Sequence, residues 1–305
     1  MNLRFILHCN ILLALACPLA LHAQAAPAFA GILLEPGVVS TPASEYNYSE
    51  SSDGTMRLFA RSPKGFDGAQ IYVSRREGGK WGAPAPISFA DARFRDSDPF
   101  LAGDGKTLYF VSDRLPPGKA EKKDLDIWRS QLRNGVWLAP EHLGDVVNSE
   151  HNELGVELHG DALYFNSARP GGPGKMSIYL ARASGNDFAA PVALPAPING
   201  GAGQGDFTLS PDGQIAVFWS QRDGGVGVYA VRRAGALWAE PVKLGPPVLP
   251  PEGFVFTPAF APDGKTLFFA STYKAGDAGA LAPLYNGQAN VYRVPVQLLR
   301  DALSR

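Results

Sequence analysis

The stretch Ala261-Pro262-Asp263-Gly264-Lys265-Thr266-Leu267-Phe268-Phe269 sets a tight turn directly before a short apolar and aromatic run. An Asp-Gly pair supplies the positive φ that a hairpin turn demands, and the run behind it suits a buried strand. The pairing recurs four times. Asp53-Gly54 precedes Arg57-Leu58-Phe59, Asp104-Gly105 precedes Leu108-Tyr109-Phe110, His159-Gly160 precedes Leu163-Tyr164-Phe165, and Asp212-Gly213 precedes Ala216-Val217-Phe218. The first turn residues stand 51, 55, 53 and 51 positions apart. Such regularity marks tandem structural units.

Outward from this core each unit keeps one order. A polar loop follows the aromatic strand, as in Ser112-Asp113-Arg114, Ser167-Ala168-Arg169 and Ser220-Gln221-Arg222. A second aromatic strand comes next: Ile71-Tyr72-Val73, Ile127-Trp128-Arg129, Ile178-Tyr179-Leu180, Val228-Tyr229-Ala230 and Val291-Tyr292-Arg293. Four units then place an aromatic three residues before a proline, at Trp81/Pro84, Trp137/Pro140, Phe188/Pro191 and Trp238/Pro241. Proline is tolerated on an edge strand, where one side has no ladder to donate to. The unit therefore reads as four antiparallel strands. One such sheet cannot bury both faces alone, whereas sheets set around an axis cover one another. A β-sandwich does not predict five near-copies, so the expected fold is all-β: a five-bladed β-propeller of four-stranded antiparallel blades. The fifth unit lacks the Trp-x-x-Pro element, and Phe29 with Ile32-Leu33-Leu34 resembles the missing piece. The last blade is expected to be closed by this N-terminal strand, which hides the two edges of an open array.

The chain has 305 residues and begins with Arg4, an apolar run from Phe5 to Leu21 and Ala23-Gln24-Ala25. This layout predicts a signal peptide over residues 1–25, followed by one propeller domain over 26–305 and a periplasmic or secreted location. Both cysteines, Cys9 and Cys17, fall in the leader, so the mature fold is expected to need no disulfide. No later run is long enough to span a membrane. With 28 basic and 29 acidic residues the formal net charge is -1. That balance gives no general attraction to a polyanion, and nucleic acid is not an expected partner.

Ser210-Pro211-Asp212-Gly213, Ala261-Pro262-Asp263-Gly264 with the Leu-Phe-Phe run behind it, and Asp126-Ile127-Trp128 resemble the WD40-like, TolB-like propeller repeat of exported bacterial proteins. The resemblance covers nearly the whole mature chain and implies an exported binding or scaffold protein. The chain departs from TolB itself in supplying repeats for five blades and in lacking its separate N-terminal α/β domain.

The innermost strand of each blade should lie just before its turn. Counting back six residues from the first turn residue reaches Asn47, Asp98, Glu153, Asp206 and Thr257; counting back eight reaches Glu45, Asp96, His151, Gln204 and Val255. Equivalent positions converge on the axis, so a polar, acidic ring is expected at one channel mouth. Three roles fit it. The acids could cap backbone N–H groups of the neighbouring blade. They could hold a polar ligand, a protein partner or a divalent cation, because clustered carboxylates repel until a cation or proton relieves them. They could hydrolyse a glycan, with Asp98 as base, Glu153 as acid and Asp206 tuning the pair. The expected function is binding of a polar ligand or protein partner without turnover, with glycan hydrolysis as the alternative. No Gly-x-Ser-x-Gly elbow or phosphate-binding loop is present. Two long excursions, Leu115 to Lys123 and Tyr273 to Asn290, are further candidates for binding loops.

Overall fold

The computed structural model describes residues 28–119, 121, 124–276 and 279–304. The leader assigned to residues 1–25, with both cysteines, lies outside them. The described chain is a five-bladed propeller. Blade 1 is built from Ser44–Glu50, Met56–Ser62 and Gln70–Glu77, and blade 2 from Asp96–Leu101, Thr107–Ser112 and Asp126–Arg133. Blade 3 comprises Glu153–His159, Ala162–Ser167 and Ser177–Ser184; blade 4, Gly203–Leu209, Ile215–Arg222 and Gly225–Ala234; blade 5, Val255–Phe260, Thr266–Ser271 and Asn290–Pro295. All pairings within blades are antiparallel.

In blades 1 to 4 the outermost strand is split into two short pieces, both paired with the third strand, as Val136–Trp137 and Glu141–His142 are in blade 2. The break falls at the Trp-x-x-Pro element, where proline removes a donor. Blade 5 takes its outermost strand from the other end of the chain: Ile32 pairs with Arg293 and Leu33 with Tyr292. Phe29 packs against Tyr273, Tyr292 and Phe269 at ring distances of 5.4, 5.8 and 6.2 Å. Glu35 then reaches back to blade 1 and grips the fully buried guanidinium of Arg57 with both oxygens, at 2.6 and 2.8 Å.

The core lies between blades. Leu58 and Ile71 of blade 1 pack with Leu108 and Phe110 of blade 2, and the other junctions repeat the arrangement. After the last strand the chain forms a short helix, Val296–Ala302, whose Val296 and Leu299 fill the junction of blades 4 and 5 beside Val248 and Leu249. The strand pattern did not anticipate this helix.

The Asp-Gly turns between first and second strands share one build. Gly54, Gly105, Gly213 and Gly264 take φ of 66, 65, 68 and 67°. The preceding aspartates accept from backbone N–H groups two residues on, for example Thr55 to Asp53 at 2.9 Å and Lys265 to Asp263 at 2.9 Å. These turns define one face of the disc. Blade 3 differs: His159 pairs directly with Ala162, leaving only Gly160 and Asp161 as the turn.

Candidate functional site

Each innermost strand is interrupted by a bulge just past its start. The bulged residue is left-handed in every blade: Asn47 (φ 50°), Asp98 (53°), Gly155 (59°), Asp206 (50°) and Thr257 (47°). Glycine, asparagine and aspartate tolerate that conformation, whereas β-branched threonine holds it under strain. The five residues form a ring on the propeller axis, and hydrogen bonds at this level join four of the five neighbouring pairs of blades. Asp98 Oδ2 accepts from Gly155 N–H at 2.7 Å, Asp206 Oδ2 from Thr257 N–H at 3.1 Å, and Thr257 Oγ1 from Asn47 N–H at 3.2 Å. Gly155 has no side chain to continue the sequence, and Asn166 Oδ1 takes its place by accepting from Asp206 N–H at 3.2 Å.

Two positions further along, a second layer repeats the device. Ser49 Oγ accepts from Leu101 N–H at 3.1 Å, Glu157 Oε1 from Leu209 N–H at 2.8 Å and Thr208 Oγ1 from Phe260 N–H at 3.4 Å. Above the ring a cavity of about 520 Å³ runs to the face that carries the Asp-Gly turns. Asp98, Glu157 and Asp206 line it, and half-buried Phe100, Leu158 and Phe260 narrow its walls. Among the described residues no lysine or arginine lines it. On the other side of the ring Tyr46, Phe66 and Phe256 pack edge to face.

The structure corrects the expected ring in blade 3. The two-residue turn there is two residues shorter than in its neighbours, so counting back from His159 lands two positions early. Leu158 pairs with Leu163 as Leu101 pairs with Leu108, which places Gly155, not Glu153, opposite Asp98. Glu153 belongs with Glu45, Asp96 and Gln204 at the strand starts, and His151 is an exposed residue outside both layers.

The strand-start acids are fully buried, and each is neutralised within its own blade. Arg61 Nε holds Glu45 Oε1 at 2.8 Å, Arg114 holds Asp96, and Arg169 Nη2 holds Glu153 Oε1 at 3.0 Å. Ser149 N–H and Oγ and Ser167 Oγ also donate to Glu153. Its carboxylate is thus fully used, and the role of glycan-cleaving acid assigned to it has no place in the cavity. Burial raises the carboxyls of Glu45 and Asp96, against the pull of their donors and arginines.

The cavity acids have no such cation. Burial first, and the Asp98 carboxyl second, push Asp206 up to about 7 against the opposing Thr257 N–H. Burial also pushes Glu157 up to about 7, against Leu209 N–H and the Thr208 hydroxyl. Among the described residues no group of three His, Cys, Asp or Glu is disposed to hold a metal, so a divalent cation finds no ready ligand set in the channel. The two long excursions join second to third strands and therefore leave from the face opposite the cavity mouth. Sequence reasoning missed Glu157 and Gly155; aligning the units on the first-strand leucine, Leu101, Leu158 and Leu209, instead of on the turn, would have found both.

No protein-family model matches the chain, and no curated protein matches it. Solved structures do. A TolB-type protein from Agrobacterium tumefaciens is similar at a TM-score of 0.50 and 18% identity, over 78% of this chain and 73% of that one. An α-L-arabinofuranosidase from Lactobacillus brevis is similar at 0.50 and 17%, over 85% and 90%. TolB from Acinetobacter baumannii matches at 0.46 and 14% over 83% of this chain, which spans only 54% of its length. At these identities the likeness is one of fold, and the fold is shared by binding proteins and glycosidases alike.

Proposed function

We propose that this propeller is an exported binding module whose channel takes the end of a glycan chain on the Asp-Gly face. The supporting observation is the cavity of about 520 Å³ with Asp98, Glu157 and Asp206 at its base and no cationic side chain among its described lining. The volume lies within the range of small-molecule sites, and an acceptor-rich floor under apolar walls suits a hydroxyl-bearing ring better than an anion. The TolB-like repeat and the leader reading support export. No helix among the described residues is long and apolar enough to cross a membrane.

A second reading, hydrolysis, is favoured by one observation. Asp98, Glu157 and Asp206 line one cavity, and burial raises Glu157 and Asp206 to about 7. A carboxyl raised toward neutrality suits the role of proton donor in an acid and base pair. Here Glu157 would give the proton to the glycosidic oxygen and Asp98 would receive one from water. Titrating the protein with a panel of plant and cell-wall oligosaccharides, with calorimetry for binding and a reducing-sugar assay for cleavage, tests both. Binding without sugar release supports the module. Release that disappears in Glu157→Gln replaces it with the hydrolase, and no binding to any member of the panel removes both.

A further inference from the structure

The seam where the two ends of the chain meet carries a second hollow on the Asp-Gly face. A groove of about 380 Å³ runs radially between blades 5 and 1. Tyr48 and Glu50, on the innermost strand of blade 1, stand at its inner end, and Pro262 and Asp263 of the blade 5 turn face them. At the outer end are Leu33 of the closing strand and Trp81 of the outermost strand of blade 1. Tyr48, Glu50, Ser52 and Pro262 line the channel cavity as well. Groove and cavity therefore share a wall and reach the same face side by side.

The walls of the groove are fixed before anything binds. Tyr48 is buried, and its hydroxyl donates to Glu50 Oε1 at 2.6 Å, which holds that carboxylate on the shared wall. Trp81 lies on the guanidinium of Arg57, 4.4 Å from its ring, and Arg57 is gripped in turn by Glu35. An aromatic wall so held loses little freedom when a ligand packs on it. Between the two ends Ser52 and Thr266 supply hydroxyls and Asp263 a carboxylate. Arg293 is the one cation among the described lining, against the carboxylates of Glu35, Glu50 and Asp263. Such a lining repels a polyanion and offers an uncharged, hydroxyl-rich chain donors, acceptors and an aromatic surface in succession. At about 3.4 Å per residue the shared strand climbs roughly 10 Å from the ring to the groove's inner end, so a glycan end seated on the ring emerges beside it.

We propose that the groove between blades 5 and 1 receives the continuing chain of an uncharged glycan whose end occupies the channel, the chain bending over Glu50 and Ser52 and running outward to Trp81. This rests on the glycan reading and deepens it: the ligand is the terminus of an oligosaccharide or polymer, and not a free monosaccharide.

The test is calorimetry with cello-, xylo- and arabino-oligosaccharides, each as disaccharide and hexasaccharide, and with a hexameric oligogalacturonide as the anionic counterpart. For the glycan that binds, the hexasaccharide should bind about tenfold more tightly than the disaccharide, and the oligogalacturonide should show no such gain. Trp81→Ala removes the outer wall, and Thr266→Tyr fills the groove with a ring that suits a strand. Both should bring the hexasaccharide down to the affinity of the disaccharide and leave the disaccharide unchanged. Thermal midpoints check that the variants are folded; if loss of the indole over Arg57 unfolds Trp81→Ala, Thr266→Tyr decides alone. A hexasaccharide that binds no more tightly than the disaccharide in the wild type refutes the groove while the glycan reading stands. A length gain that persists in the folded variants places the chain on another route and overturns the proposal, and an equal gain for the oligogalacturonide overturns the selection for an uncharged chain. If no oligosaccharide of either length binds, the glycan reading falls and the groove proposal falls with it.

Discussion

At the scale of single residues, Glu157 carries a consequence for stability as well as for the cavity. Its carboxyl is raised from the ordinary 4.5 to about 7 in the fold. Between these values the folded state holds more protons than the unfolded chain. The contribution is complete below about 4.5 and is lost as pH rises through about 7. Glu157→Gln retains the oxygen that accepts from Leu209 and has no proton to lose, so the variant should gain on the wild type between pH 5 and pH 8 by on the order of 1–3 kcal/mol. Urea denaturation at the two pH values measures this, and parallel behaviour of the two proteins would place the titration elsewhere. The same residue shows where the sequence was legible and where it was not. Asn47, Asp98, Asp206 and Thr257 were reached by counting from Asp-Gly turns because those turns share a length. Glu157 and Gly155 were missed because Gly160-Asp161 closes its hairpin in two residues, which shifts every count behind it.

At the scale of elements, the N-terminal strand does more than fill a gap. Its two-residue pairing with Arg293 and Tyr292 is slight, but Phe29 anchors one end in the aromatic cluster of blade 5 and Glu35 fixes the other on buried Arg57. Glu35→Ala leaves that guanidinium buried without its partner, and should cost about 3 kcal/mol, well beyond a typical surface substitution. Chemical denaturation checks the figure. Removing residues 28–36 should lower the thermal midpoint further, because the outer edge of blade 5 is then open as well. The strand itself was readable from its likeness to Trp238 and the segment that follows. The arginine layer was not: Ser-x-Arg looked like a polar loop, and only the fold shows Arg114 and Arg169 turning inward over aromatic rings, Arg169 at 5.1 Å from Tyr179, to meet acids from the neighbouring strand. The closing helix Val296–Ala302 was equally silent, since seven residues carry too little periodicity to distinguish a helix from the end of a strand.

At the scale of the whole molecule, the ring of blade-to-blade bonds makes the cavity a property of all five blades at once. Thr257 shows this directly, since it accepts from blade 1 and donates its own N–H to blade 4. Thr257→Val strands the Asn47 N–H and should destabilise the protein by about 1–3 kcal/mol in a single cooperative transition; two separate transitions by calorimetry would mean that the blades unfold independently. The closure also sets a timetable for biosynthesis. Leu33 is among the earliest described residues to leave the ribosome, and its partner Tyr292 is among the last, 259 positions later. Bringing such distant segments together carries a loop-closure term of about 5 kcal/mol, which no early contact can offset. The nascent chain therefore stays unclosed until Tyr292 has been made, and pairing of that late strand with Leu33 is the event that turns a row of blades into a disc.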